Sequence, residues 1–168
     1  MLSLDHVESR GSGSLACTCG VDMPCAISPS PTALLEYAPT IGILLVDDSL
    51  VMRRILTEML KAQPRLHVIG EAADGVAALQ LVRQLCPEVV LMDVHMPRMN
   101  GIDSTRLIRM ISPQTIIIGM STDPSPAIRT AVLAAGASAF LEKESLLNEL
   151  LAVMTRELRH PSKSLEGL

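Results

Sequence analysis

Short apolar runs alternate with longer stretches in which apolar residues recur every three to four positions from residue 41 to residue 159. Four of the runs end at, or just before, a conspicuous polar residue. Ile41-Gly-Ile-Leu-Leu-Val46 is followed by Asp47 and Asp48, Val89-Val-Leu-Met92 by Asp93, Ile116-Ile-Ile-Gly-Met120 by Ser121, and Ala139-Phe-Leu-Glu142 by Lys143. Runs of this length, apolar throughout and bounded by turn residues, read as strands buried on both faces. The pattern predicts five strand–helix repeats, with strands at 41–46, about 66–71, 88–92, 115–120 and 138–142. Helices are expected over about 50–62, 75–85, 102–111, 126–135 and 145–159. Strands alternating with helices in this way form βαβ units and a parallel sheet, so the fold class is α/β.

The helix stripes give candidate core residues. Val51, Ile55, Met59 and Leu60 fall at helical spacing and are expected to face the sheet, as are Leu146, Leu147, Leu150, Leu151 and Met154 in the last helix. Leu107, Ile108 and Ile111 form the stripe of the third helix, with Asp103 or Ser104 placed to cap its start near Asp93. Ser49 is placed to cap the first.

Residues 1–40 break the pattern. Gly11-Ser-Gly-Ser14, Ser28-Pro-Ser-Pro31 and Pro39 read as a loose leader, with one or two helical turns expected over 32–38. The domain expectation is a leader at 1–40, a globular body at 41–159 and a short tail at 160–168. Fewer than ten residues after the last helix leave no room for a helix-turn-helix domain, so the expected output is protein–protein contact, unless the chain is a fragment.

The 168 residues suffice for one domain with a real core, and 48% hydrophobic content excludes wholesale disorder. Tyr37 and Phe140 are the only aromatic residues, so the core is aliphatic and Met-rich, with Met52, Met59, Met92 and Met154 read as core filling. The net charge of −4 with scattered basic residues gives no support for nucleic-acid binding. No apolar run reaches the length of a membrane span and no signal-peptide pattern opens the chain, so a cytoplasmic protein is expected. Of four cysteines, Cys86 is expected as a reduced core residue. Cys17, Cys19 and Cys25, with His6, match no common zinc module and read as leader thiols. His67 and His160 have no constellation around them.

The polar residues at the strand ends carry the chemistry. The carboxyl edge of an open α/β sheet is where ligands bind. Carboxylates about 4 Å apart repel by roughly 4 kcal/mol at an effective dielectric of 20, so three of them tolerate one another only around a cation or with one protonated. Hard oxygen ligands at a partly open site suit Mg²⁺ (or Mn²⁺), and one carboxylate can act as nucleophile toward a phosphoryl group. Lys143 adds a point charge and Ser121 a hydroxyl donor. Taken singly, the aspartates read as caps, Ser121 as a loop hydroxyl, Lys143 as a solvated charge and Phe140 as core; taken together they make a site.

Val46-Asp-Asp-Ser49, Leu91-Met-Asp-Val-His-Met-Pro-Arg-Met-Asn-Gly101, Met120-Ser-Thr122 and Ala135-Gly-Ala-Ser-Ala-Phe-Leu-Glu-Lys143, in this order and spacing, resemble a response-regulator receiver domain of two-component signalling. The style is closest to receivers attached to DNA-binding output domains. The resemblance implies a flavodoxin-like, doubly wound sheet of order 2-1-3-4-5. It implies that Asp93 accepts a phosphoryl group from a histidine kinase or phosphotransfer protein, and that Asp48, Asp93 and the backbone carbonyl of His95 contact Mg²⁺, with Asp47 acting through water. Lys143 would pair with Asp93 and then with the phosphate. Ser121 would move toward the phosphate and Phe140 would follow as a switch aromatic. The face of the fourth helix, fifth strand and fifth helix would change shape for a downstream protein or a second copy.

Three positions depart from the common pattern. Glu144 replaces a proline that often follows the lysine, so a trans bond is expected, while His95 and Asp123 occupy variable positions that in the family tune the lifetime of the phosphoaspartate. A rival reading, an aspartyl-nucleophile phosphohydrolase, would need an acidic residue where His95 stands. A second rival, a scaffold that binds without phosphorylation, has no need of Asp93, Lys143 and the metal carboxylates together.

Overall fold

The computed structural model describes residues 40–159, apart from Pro124 and the side chain of Leu147. The expectations for the leader, its thiols and the tail lie outside these residues. Five strands alternate with five helices: β1 (Ile41–Val46), α1 (Leu50–Lys61), β2 (Leu66–Ala72), α2 (Gly75–Leu85), β3 (Val89–Asp93), α3 (Gly101–Ile111), β4 (Ile116–Ser121), α4 (Pro126–Ala134), β5 (Ala139–Glu142) and α5 (Leu146–Arg159). The sheet order is β2-β1-β3-β4-β5, with every neighbouring pair parallel. The expected order therefore holds, and each boundary lies within a residue or so of its expected place.

The alternation of side chains along the strands splits the core into two layers. Ile43, Leu45, Val89, Leu91, Ile118 and Met120 pack with Leu56 and Leu60 of α1 and with Leu146, Leu150 and Met154 of α5. Leu44, Val46, Val90, Met92, Ile117 and Phe140 point the other way, toward Ala78 and Val82 of α2, Ile108 of α3 and Val132 of α4. β3 and β4 are buried along their whole length, which is why they read as unbroken apolar runs, whereas the edge strand β2 alternates. Each large side chain so buried contributes about 1.5–3 kcal/mol from burial. Among the described residues no helix is long and apolar enough to cross a membrane.

The stripes differ from expectation in two helices. In α1 the buried line is Leu56 and Leu60, with Met52 and Met59 packed alongside; Val51 and Ile55, expected to face the sheet, are 67% and 42% exposed. The helix is apolar around more than half its circumference, so spacing alone does not choose the inward arc. In α3 the inward residues are Gly101, Ser104, Thr105 and Ile108, while Leu107 and Ile111 are partly exposed. Small residues face inward because α2 and α3 approach closely: a Cβ on Gly75 would stand 1.9 Å from Ser104 Oγ.

Cys86, expected in the core, is exposed and free. It ends α2 in the left-handed region (φ 46°), its N–H still donating to Val82, and the chain enters β3 through a buried Pro87. Ser49 caps α1 as expected, accepting from the Met52 N–H at 3.3 Å. α3 is capped by Asn100, not by Asp103 or Ser104: Asn100 Oδ1 accepts from the Asp103 N–H at 2.8 Å and Asn100 Nδ2 donates to the Asp103 carboxylate at 3.0 Å.

Candidate functional site

The carboxyl ends of β1, β3, β4 and β5 come together because the sheet is parallel and in register. Asp93 is opposite Met120 and Ser121 opposite Glu142. Asp47 is fully buried just past β1, Asp93 is 2% exposed at the end of β3, Ser121 is buried at the end of β4, and Asp48 is exposed. One oxygen from each of Asp47, Asp48 and Asp93 lies within 4.8 Å of the others. Lys143 reaches in from the end of β5, with Nζ 2.8 Å from Asp47 Oδ2 and 3.0 Å from Asp93 Oδ2. Its backbone N–H donates to the Ser121 carbonyl at 2.8 Å, which keeps the base of the side chain beside β4.

The carboxylates are held from the backbone. Asp47 Oδ1 accepts from the Ser49 N–H at 2.9 Å and Asp93 Oδ1 from the His95 N–H at 3.2 Å. Arg53 on α1 donates to the Asp47 carbonyl at 2.5 Å while its Nε pairs with Glu71 at 2.9 Å. Gly101 allows the start of α3 to press against the end of β3: its N–H donates to the Val94 carbonyl at 2.9 Å, and a Cβ there would stand 1.9 Å from the Asp93 carbonyl oxygen.

Burial raises the pKa of Asp93 above the ordinary carboxylate value; the hydrogen bond and charge of Lys143 act against this, and the charge of Asp47 adds to it. For Lys143, burial works against the ammonium but the hydrogen bonds to Asp47 and Asp93 and their charges outweigh it, so its pKa is raised. Three carboxylates against one ammonium leave a formal excess of two negative charges. Asp47 Oδ2 is buried, and its close partner is the Lys143 ammonium, which it shares with Asp93. An oxygen-only donor set with excess negative charge fits a hard divalent cation.

All the expected residues except Phe140 meet here. Phe140 lies one position back along β5, buried, opposite Gly119 in register and with the Arg129 guanidinium 5.1 Å above its ring. Sequence reasoning missed the equal sharing of Lys143 between Asp47 and Asp93, the support of Asp47 by Arg53, and a contact of 3.3 Å between His95 Nδ1 and Ser121 Oγ.

The response regulator receiver domain profile matches residues 43–155, which contain the whole constellation. The chain belongs to this family. It is a phosphoacceptor receiver of two-component signalling. The receiver is 45% identical over 107 residues to a protein-glutamate methylesterase/protein-glutamine glutaminase of Nocardioides sp., a match covering 62% of this chain and 29% of that protein. The chain thus spans about a third of the length of such relatives. Among solved structures, the receiver resembles the response regulator domain of Thermotoga maritima CheB (TM-score 0.67, 34% identity, 71% of this chain and 97% of that one). It also resembles a LuxR-family two-component response regulator from Aurantimonas sp. SI85-9A1 (TM-score 0.68, 32% identity, 71% and 86%). The likeness therefore extends beyond the DNA-binding regulators suggested by the style of the motifs. Receivers bind Mg²⁺ at an acidic pocket, and the three aspartates form a cluster able to hold such an ion.

Proposed function

We propose that Asp93 is the phosphoacceptor. The observation that carries this reading is the position of Lys143 Nζ between Asp47 Oδ2 and Asp93 Oδ2, at 2.8 and 3.0 Å. A carboxylate oxygen of Asp93 attacks phosphorus, the P–N bond to a donor phosphohistidine breaks, and the imidazole leaves to take up a proton, giving an acyl phosphate on Asp93. Lys143, already between the carboxylates, turns its charge to the phosphoryl oxygens. Asp48, Asp93 and the His95 carbonyl would hold Mg²⁺, with Asp47 acting through water. When bound, the ion supplies neutralisation of the charge on the phosphoryl group. Attack of water on phosphorus later returns inorganic phosphate and the free carboxylate.

Ser121 then hydrogen-bonds the phosphoryl group and Phe140 changes rotamer, so that a local charge event biases a two-state surface formed by α4, β5 and α5. The partners of this reading are a histidine kinase or histidine phosphotransfer protein as donor and a downstream protein, or a second copy of the chain, on that surface. Nucleic acid is not among them, and the compartment is the cytoplasm. The activity named for the methylesterase relatives is not carried over. The shared stretch is the receiver, and the only reactions assigned to it are its own phosphorylation and dephosphorylation. Incubation with Mg²⁺ and acetyl phosphate should give a single phosphoryl adduct by intact mass, abolished by Asp93→Asn or by chelation. No adduct from acetyl phosphate or from donor kinases would overturn the reading.

A further inference from the structure

We propose that His95 is a positioning residue: in the resting receiver its imidazole shares a hydrogen bond with the Ser121 hydroxyl, and so restrains the switch before phosphorylation. The inference rests on the reading of Asp93 as phosphoacceptor and of Ser121 as the hydroxyl that binds the phosphoryl group. Ser121 Oγ has two partners among the described residues. It accepts the Asp123 N–H at 3.0 Å and stands 3.3 Å from His95 Nδ1. A hydroxyl has one proton to give. The Asp123 N–H occupies one of the two lone pairs, so the contact with Nδ1 uses either the hydroxyl's proton or its second lone pair, according to the tautomer of the ring.

His95 is placed for this by the chain itself. It lies two residues beyond Asp93, its backbone N–H donates to Asp93 Oδ1 at 3.2 Å, and its ring sits at the solvent edge over the end of β4. One residue thus touches the phosphoacceptor with its backbone and the switch hydroxyl with its ring. The hydroxyl cannot stay against Nδ1 and also move to a phosphoryl oxygen on Asp93. The resting bond must break before the new one forms. The release reaches the β4–α4 loop, because Asp123 is held by the same Oγ and its carboxylate accepts the Ser125 N–H at 2.9 Å, just before α4. A net neutral hydrogen bond is worth roughly a two- to tenfold change in an equilibrium, so His95 sets the resting population of the switched state by that factor. Its backbone carbonyl is untouched by substitution of the side chain.

The test is amide NMR of Ser121 and Thr122 in Mg²⁺, with and without acetyl phosphate, the two conditions supplying the resting and phosphorylated end points. His95→Ala should move the unphosphorylated signals toward the phosphorylated end, raising the ratio of switched to resting by about two- to tenfold. His95→Asn, whose Oδ1 can stand where Nδ1 stood, should restore the resting position. In a Ser121→Ala background His95→Ala should have no such effect. An unchanged ratio in His95→Ala, or an equal shift with and without the Ser121 hydroxyl, overturns the inference while leaving the phosphoacceptor reading intact. Absence of any phosphoryl adduct on the unaltered protein overturns both.

Discussion

Replacing Lys143 by methionine keeps most of the side-chain bulk and removes the ammonium that pairs with the buried carboxylates. At an effective dielectric of 20, contacts of 2.8 and 3.0 Å correspond to gross attractions of about 6 and about 5.5 kcal/mol. Carboxylate oxygens up to 4.8 Å apart repel by about 3.5 kcal/mol or more on the same scale. Desolvating the ammonium offsets much of the attraction, and measured losses on removing one partner of a buried pair are about 3–5 kcal/mol. We therefore expect Lys143→Met to lower stability at pH 7 in chelator by about 3 kcal/mol, the low end, because Asp93 can take up a proton instead. The assay is urea unfolding, with a lower midpoint and an unchanged slope. Mg²⁺ at tenfold over its Kd stabilises any folded state that alone binds it by about 1.4 kcal/mol. The variant, lacking the ammonium that competes with a cation for the carboxylates, should gain more than the unaltered protein at equal Mg²⁺. A loss below about 1 kcal/mol, or an equal Mg²⁺ gain in both proteins, would refute the electrostatic account of the site.

Asp93→Asn in chelator should be increasingly stabilising relative to the unaltered protein as pH rises. Burial raises the Asp93 pKa above 3.8, so this group's contribution is complete below 3.8 and is lost as pH climbs through the raised value; urea midpoints from acid to neutral pH check the sign. Gly101→Ala should cost about 2–4 kcal/mol, because its methyl would fall 1.9 Å from the Asp93 carbonyl oxygen and break the bond to Val94; thermal melts and phosphorylation rates should fall together. Asp74→Ala should cost about 1–2 kcal/mol by urea unfolding, since Asp74 Oδ1 caps α2 through the Val76 and Ala77 N–H groups at 2.9 and 3.0 Å. Arg98→Ala, which removes the exposed partner of that carboxylate, should cost less than about 1 kcal/mol.

The fold was legible because β1, β3 and β4 are buried on both faces and therefore appear as unbroken apolar runs, each stopped by a polar residue at the sheet's carboxyl edge. The site was legible for the same reason: in a parallel sheet, residues that follow strands share one edge, so Asp47, Asp48, Asp93, Ser121 and Lys143 converge without any knowledge of distances. What sequence did not give was choice among equivalents. α1 carries Val51 and Ile55 on one flank and Leu56 and Leu60 on another, and only the packed sheet selects between them. Ser104 turns inward where α2 lies too close for a larger residue, a property of the pair of helices. Cys86 looks apolar in its helix but occupies the left-handed residue that ends it. Asn100 was findable, three residues ahead of Asp103 in a capping-box spacing. The contact between His95 and Ser121 was not, since it joins the β3–α3 loop to the end of β4, 26 residues away.

The central claim is that Asp93 takes the phosphoryl group. Its most direct measurement is residue-resolved mass mapping of the protein after brief incubation with Mg²⁺ and acetyl phosphate, in parallel with Asp93→Asn. The account predicts one acyl phosphate, on the peptide bearing Asp93, and none in Asp93→Asn. An adduct on any other residue, or one of undiminished yield in Asp93→Asn, would contradict it.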